Sequence, residues 1–255
     1  MTKAWLTLRS LLLWALAGLH FFLVGLLVFL AGLCLDRRRH DWINRGFFRN
    51  ILRLAAVKFE VRRSPGFDPR LTSIFICNHV NIFDPFVIYS AIPQFVRGFE
   101  LESHFKIPVY GWIMGWFGNI PVPDAPTRES LEIMTQRAKA ALDSGISLIA
   151  FAEGSRTRTG HLKEFKKGIF NIAQKFGAPI VPMSIVGSYQ FFQTGNWLLY
   201  PAKITVYLHD TIDTSRLPRA EIDALRQRVH QIVSAPVEAS LRAAPPPPSP
   251  PNSSP

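Results

Sequence analysis

Leu71-Thr72-Ser73-Ile74-Phe75-Ile76-Cys77-Asn78-His79-Val80-Asn81-Ile82-Phe83-Asp84-Pro85 is the stretch whose reading decides the fold. Residues Leu71–Cys77 form a short apolar run that reads as a buried strand. A helical segment, Asp84–Ala91, follows it. His79 therefore emerges at the carboxyl end of the strand, and in open α/β sheets that end is where ligands bind.

The same alternation continues outward from this stretch. Further strand candidates are Val57–Arg63, Phe95–Leu101, Asn119–Val122, Ser147–Ala152, Ile180–Val186 and Ile204–Leu208. Between and after them lie helix candidates at Tyr110–Phe117, Thr127–Ser144, Lys167–Phe176 and Arg219–Val233. Thr127 is placed to cap the longest of these, with Ser130 rather than an acid at the third helical position, and Gly145 is placed to end it. The pattern predicts the α/β class, a mixed sheet flanked by helices.

The amino terminus is of another kind. From Ser10 to Leu35 no Asp, Glu, Lys or Arg occurs, and these 26 residues exceed the roughly 20 a helix needs to cross a bilayer. Cys34-Leu35-Asp36-Arg37 is a poor signal-peptidase site, so the run reads as a retained membrane helix. Arg37-Arg38-Arg39-His40 follows, then Arg45, Arg49 and Arg53 at helical spacing. Ile43, Phe47, Ile51 and Leu54 mark another face of the same predicted helix over residues 40–57. A basic amphipathic helix beside a hydrophobic one is expected in the headgroup region of an anionic membrane surface. Its cations put the downstream domain on the cytoplasmic side, at the inner membrane of a bacterium. The expected organisation is a membrane-anchoring element over 1–56, an α/β domain over 57–240 and a disordered proline-rich tail over 241–255.

Composition agrees with that reading. The 255 residues carry a formal charge of +11, which calls for an anionic partner. The basic membrane-proximal helix accounts for it without nucleic acid. Two cysteines, Cys34 and Cys77, make no disulfide framework, and no Cys/His cluster has metal-ligand spacing, so no metal is expected.

Two constellations carry chemistry. His79 and Asp84 lie five positions apart. They read either as a base with its orienting acid or as a packed histidine beside a helix-capping aspartate. Phe151-Ala152-Glu153-Gly154-Ser155-Arg156-Thr157-Arg158 leaves another buried strand. Its small residues suit a turn whose backbone N–H groups face an anion, and arginine adds a bidentate grip on phosphate. A charged surface turn is the plainer alternative. Ile107–Ile120, rich in aromatic residues and glycine, either shapes an apolar pocket or covers the sheet. Ala178–Ile185 reads as a core strand with proline at its start.

Together these residues resemble the glycerolipid acyltransferases of the lysophosphatidic acid acyltransferase (PlsC-like) family. His79-x4-Asp84 resembles that family's first motif, and Phe151–Thr157 is similar to its phosphate-binding motif. Val181-Pro182 resembles the fourth motif, and Ile107–Val122 sits where the second belongs. The resemblance spans Val57 to Asp210. It implies an α/β domain behind a membrane-associated helical element, and direct acyl transfer with no cofactor. The acyl group would pass from an acyl-CoA or acyl carrier protein thioester to the free hydroxyl of lysophosphatidic acid. His79 would be the general base and Asp84 its partner. Asn78, Glu153, Gly154, Ser155 and Arg156 would serve substrate binding, with Arg156 on the acceptor's phosphate. One departure stands out: Asp124 occupies the place where the family's second motif has an arginine. Arg128, Lys106 and Arg97 are candidates to compensate, and a different lyso-lipid acceptor is the other reading. The remaining alternatives are a transacylase and a non-catalytic basic membrane module. A serine hydrolase would call for Gly-x-Ser-x-Gly, which is absent.

Overall fold

The computed structural model describes residues 2–36, 38–39, 41–107 and 110–243. Arg37 and His40 of the basic cluster, Pro108 and Val109 of the second motif region, and residues 244–255 of the expected tail lie outside the described residues.

Seven strands form one sheet: β1 (Lys58–Arg63), β2 (Ile74–Cys77), β3 (Val96–Leu101), β4 (Ile120–Val122), β5 (Ser147–Phe151), β6 (Ile180–Val186) and β7 (Lys203–Leu208). Their spatial order is β1-β7-β6-β2-β5-β3-β4. Neighbours are parallel except β6 and β7, so β1 and β7 run against the other five. The expected mixed sheet is therefore present. β2 lies at its centre, between β5 and β6, and all four of its residues are buried. Its side chains alternate between two cores. Phe75 and Cys77 face one layer, and Ile74 and Ile76 the other.

The layer on the Ile74/Ile76 face contains α5 (Arg128–Asp143), α6 (Gly168–Phe176) and α8 (Ile222–Ala243). Thr127 and Ser130 form a reciprocal capping box at the start of α5, with serine doing what a glutamate usually does. The last helix extends ten residues beyond the expected Val233, through Pro236 to Ala243. Proline there removes one helical hydrogen bond. The hydroxyl of Ser184 on β6 donates to the Val233 carbonyl in the preceding turn at 2.8 Å.

The opposite layer holds α1 (Lys3–Cys34), α2 (Asp41–Leu54), α3 (Asp84–Ala91) and a short α7 (Ser188–Phe191) that the sequence pattern did not suggest. α4 (Tyr110–Phe117) follows a 3-10 turn, Glu102–Lys106. The 32 residues of α1 make a helix about 48 Å long, long and apolar enough to cross a membrane. Leu6, Ser10, Leu13 and Ala17 form a buried stripe at helical spacing, while Leu8, Leu12, Leu19, Phe22, Leu26 and Leu30 point outward, exposed. The inward stripe is fastened to the segment after α7. The indole of Trp14 donates to Trp197 O at 2.7 Å, Ser10 Oγ accepts from Leu199 N at 2.9 Å, and Arg9 donates to Leu199 O.

The expectation for α2 needs correction. Its apolar residues Phe47, Phe48, Ile51 and Leu52 are buried in the protein core rather than turned to lipid. Two of its arginines are taken up internally. Arg45 donates to the carbonyls of Ile92 and Gln94, the latter at 2.6 Å, and Arg49 to Ser90 O at 3.3 Å. These carbonyls cluster at the carboxyl end of α3, where the helix leaves acceptors without partners and its dipole attracts cations. Spacing alone does not distinguish arginines that meet headgroups from arginines that cap a neighbouring helix.

Candidate active site

Register brings the two sequence constellations together. Cys77 of β2 pairs with Phe151 of β5 and with Met183 of β6. Two residues further along these parallel strands, His79 falls beside Glu153 and Ile185. The His79 N–H donates to Glu153 Oε1 at 2.8 Å, and Thr157 N donates to His79 O at 2.9 Å. The His79 motif and the Glu153–Arg156 motif are thus laced by one backbone-to-carboxylate bond and one backbone-to-backbone bond.

The His79 ring lies on Phe151, with centroids 3.7 Å apart and planes 18° from parallel. Its Nδ1 meets Asp84 Oδ2 at 2.9 Å. The side chain is 20% exposed while Asp84 is fully buried, so the ring reaches solvent and its partner does not. Asp84 stands in the first turn of α3, where the helix dipole favours a carboxylate. Oδ2 also accepts from Val80 N at 2.6 Å and Asn81 N at 2.9 Å. Oδ1 accepts from Ser188 Oγ at 2.9 Å. Asp84 is not the helix cap of the plainer reading: the N-cap of α3 is Phe83, without a side-chain bond, and the carboxylate turns back onto the loop before the helix. The aspartate organises the loop's N–H groups and also holds the imidazole. With Nδ1 engaged, Nε2 is the atom left to exchange a proton with a substrate.

Glu153 is buried, and its second oxygen accepts from Lys163 N at 2.8 Å. Burial pushes its carboxyl above the usual range, against the opposing pull of the Lys163 and His79 N–H bonds. Gly154 turns with φ +73°, and a Cβ there would lie 2.6 Å from Lys166 Nζ. Only glycine fits. Ser155 and Arg156 are exposed at the tip of the turn. The Lys163 ammonium closes it, donating to Ser155 Oγ at 2.9 Å and Arg156 O at 2.8 Å. Arg156 also lies near enough to Tyr110 to oppose the rise that burial, chiefly, and Glu100 impose on the phenol. The second motif region thus borders the third.

Asn78 takes a different place from the substrate-contacting one expected. It is buried, its amide donates to Ile185 O at 2.9 Å, and its oxygen accepts from Ile185 N at 2.8 Å. It staples β2 to β6 beneath the site. Asp124 is likewise committed, accepting from Ser103 N at 2.8 Å and Ser103 Oγ at 2.7 Å. Those bonds hold its carboxyl below the usual range. Of the suggested compensating cations, Arg97 is buried on β3 over the Phe95 ring at 3.9 Å. Among the described residues no group of three or more His, Cys, Asp or Glu side chains is arranged to hold a metal ion.

The sequence model of the family described as Acyltransferase matches residues 58–186, just over half of the chain, and takes in both constellations. The chain belongs to the Acyltransferase family. Two relatives within it are both called 1-acyl-sn-glycerol-3-phosphate acyltransferase. The one from Cocos nucifera is 29% identical over 63% of this chain and 52% of its own length. The one from Pseudomonas aeruginosa is 22% identical over 89% of each. The chain spans about half the length of the plant relatives it matches. Its fold is that of the crystal structure of the 1-acyl-sn-glycerophosphate (LPA) acyltransferase PlsC from Thermotoga maritima. That match has a TM-score of 0.79 at 24% identity, covering 96% of this chain and 99% of that one.

Within this member of the family, three residues build the candidate site in roles that no motif indicates: Phe151 as the ring beneath His79, Lys163 as the clamp of the Arg156 turn, and Ser188 on Asp84. Only Phe151 carried a signal, as part of the strand candidate Ser147–Ala152, which ends one residue earlier as β5. Lys163 and Ser188 sit 7 to 10 and 104 residues from their partners in segments with no motif of their own.

Proposed function

We propose that this acyltransferase-family protein esterifies the free hydroxyl of lysophosphatidic acid with a fatty acyl group from acyl-CoA or acyl-acyl carrier protein, giving phosphatidic acid for phospholipid synthesis. The observation that carries this reading is the hydrogen-bonded path from Asp84 through His79 to Glu153 and the Arg156 turn. It joins a proton acceptor to an anion grip at one mouth.

His79 Nε2 removes the proton from the acceptor hydroxyl as its oxygen attacks the thioester carbonyl. Asp84 stabilises the imidazolium that results. The tetrahedral intermediate then collapses with cleavage of the carbon–sulfur bond, and the departing sulfur takes the proton from His79, leaving as the free thiol and restoring the neutral base. No acyl-enzyme forms. Arg156 meets the acceptor's phosphate, with Ser155 and the N–H groups around Gly154 lining the turn. The outward leucines of α1 seat the protein in the cytoplasmic leaflet of a membrane, where the lyso-lipid resides, and the net charge of +11 favours anionic lipid.

Asp124 supports a second reading, in which the acceptor is a different lyso-lipid. Its carboxylate stands where the family's second motif has a cation. The test of both is to incubate purified protein with labelled acyl-CoA and acyl carrier protein thioesters and a panel of lyso-lipids. Phosphatidic acid from lysophosphatidic acid is the expected product. Product from another acceptor alone would overturn the first reading and favour the second.

A further inference from the structure

We propose that Ser188 is a positioning residue of the His79–Asp84 pair, its hydroxyl fixing the far oxygen of the buried carboxylate. The inference rests on His79 acting as the base.

Ser188 comes from α7, after β6, the third of the three adjacent parallel strands that deliver the site. It is fully buried. An ionised carboxylate only accepts hydrogen bonds, so the Ser188 hydroxyl must donate to Asp84 Oδ1, 2.9 Å away. Its lone pair in turn accepts from Asn81 Nδ2 at 2.9 Å. The direction of the chain Asn81 to Ser188 to Asp84 is thereby set, with the imidazole of His79 on the carboxylate's other oxygen. The χ2 torsion of aspartate has a broad, nearly two-fold preference. With Val80 N, Asn81 N and His79 Nδ1 all on Oδ2, the bond to Oδ1 fixes the plane in which that oxygen meets the ring.

The turn that delivers Ser188 is tightly specified. Gly187 has φ +88°, and a Cβ there would lie 2.0 Å from the Lys203 carbonyl oxygen. No side chain fits. The two N–H groups of Asn81 Nδ2 are shared among three acceptors, for the main-chain carbonyls of Ser188 and Phe192 also lie 2.9 Å away. Those clips do not need the serine hydroxyl, so Ser188→Ala removes the bond to Asp84 and leaves α7 fastened.

The hydroxyl also withdraws part of the carboxylate's charge from the imidazole. Without it, Asp84 holds an imidazolium more tightly, and the neutral base forms at higher pH. The other titratable groups facing the pair are Glu153, through the His79 N–H, the Cys77 thiol in the strand below, and Lys163 across Glu153. All three are left in place by a change at Ser188.

The test measures kcat/KM against pH for wild type, S188A, S188T and H79A in detergent micelles, with acyl-CoA and lysophosphatidic acid. For S188A we expect a modestly lower thermal midpoint, from the lost bond to the buried carboxylate, kcat lower by about tenfold, KM for both substrates within about twofold, and an acid limb moved to higher pH. S188T, which keeps the hydroxyl, should return the limb toward wild type. A limb in S188A that stays at its wild-type position or moves lower overturns the inference, whatever the change in kcat. The control separates the two claims. Activity surviving in H79A would remove the base assignment itself, whereas an inactive H79A beside an S188A of wild-type profile would remove only the role of Ser188.

Discussion

The backbone N–H of His79 donates to Oε1 of Glu153 at 2.8 Å, while the other oxygen of Glu153 accepts from Lys163 N at the same distance. One buried carboxylate thus holds the loop of the base and the loop of the anion grip in fixed relation. In Glu153→Gln an amide NH2 must face one of those two N–H donors. One donor is then orphaned, and both charge-assisted bonds are lost. We expect kcat/KM to fall by about 10- to 100-fold, since 1.4 kcal/mol is tenfold in rate.

The same residue predicts a pH signature. Burial raises the Glu153 carboxyl in the folded state above its ordinary value of 4.5. A group raised on folding contributes stability that is fully present below its unfolded value and is lost as pH rises through the folded one. The stability of wild type relative to E153Q should therefore decline as pH climbs from about 4 toward neutrality. Urea unfolding of both proteins across that range checks this, and parallel curves would contradict it.

His79 and Asp84 should separate cleanly when mutated. His79→Ala removes a partly exposed ring and should cost about 10²–10⁴ in turnover with little change in stability. Asp84 is fully buried and accepts four hydrogen bonds. Asp84→Asn turns an NH2 toward either the three donors on Oδ2 or the Ser188 hydroxyl. Each buried donor left unsatisfied costs about 1–3 kcal/mol. D84N should thus be both inactive and markedly less stable than H79A by thermal unfolding. Equal midpoints for the two variants would show that Asp84 does not organise the loop.

Much of this site was legible because the relevant information is local. The run ending at Cys77 and the run ending at Phe151 are apolar on both faces, and strands of that kind lie side by side at the centre of a sheet. Two polar clusters leaving them at the same offset then converge, and they do. β6 was read to the residue, as Ile180–Val186. β2 was read three residues too long at its start, because Leu71 is apolar but exposed. What was not legible depends on pairing across the chain. Arg45 and Arg49 look like a solvated basic face until α3 is packed against them. Ser188 is one serine among many until the left-handed turn at Gly187 carries it to Asp84. Asn78 follows the strand directly and was expected at the substrate, but the β2–β6 register turns its amide onto Ile185.

Arg45 makes the first of those hidden pairings testable. Its guanidinium reaches the Ile92 and Gln94 carbonyls while also bonding Asp41 at 2.7 Å. A planar fork can serve those partners at once, and a lysine ammonium cannot match that geometry. Arg45→Lys should therefore lose nearly as much stability as Arg45→Ala, about 2 kcal/mol or more. Lipid vesicle binding should be unchanged in both. If R45K is as stable as wild type, charge alone suffices at the end of α3.

The two faces of α1 predict opposite outcomes. Its inward side covers aromatic residues of the core, with Trp14 5.6 Å from Phe83 and Phe21 6.4 Å from Phe86. Deleting residues 2–35 should expose that surface and give an aggregating protein. Replacing the outward Leu12, Leu19, Phe22 and Leu26 with serine should instead leave a folded protein that no longer partitions with anionic vesicles. Vesicle flotation and dye binding to exposed apolar surface distinguish the cases. A soluble, active deletion variant would show that α1 adds nothing to the core.

Asp124 is the residue on which the identity of the acceptor turns. Both of its oxygens are occupied by Ser103, at 2.8 and 2.7 Å, at the start of the 3-10 turn that leads into α4. A carboxylate so engaged stays ionised and cannot grip a phosphate, and at this exposed position solvent screens its repulsion. Arg156, by contrast, is exposed at the tip of the Gly154 turn and presents a bidentate fork. If lysophosphatidic acid is the acceptor, Arg156→Ala should raise its KM by about 10- to 100-fold, the loss of one charge-assisted contact. Asp124→Ala should change that KM by less than about threefold and act mainly on stability, through the lost bonds to Ser103. Steady-state kinetics with lysophosphatidic acid and a phosphate-free lyso-lipid check both. An Asp124→Ala variant that selectively gains the phosphorylated acceptor would mean that the carboxylate reads the headgroup, and that the natural acceptor carries less negative charge than lysophosphatidic acid.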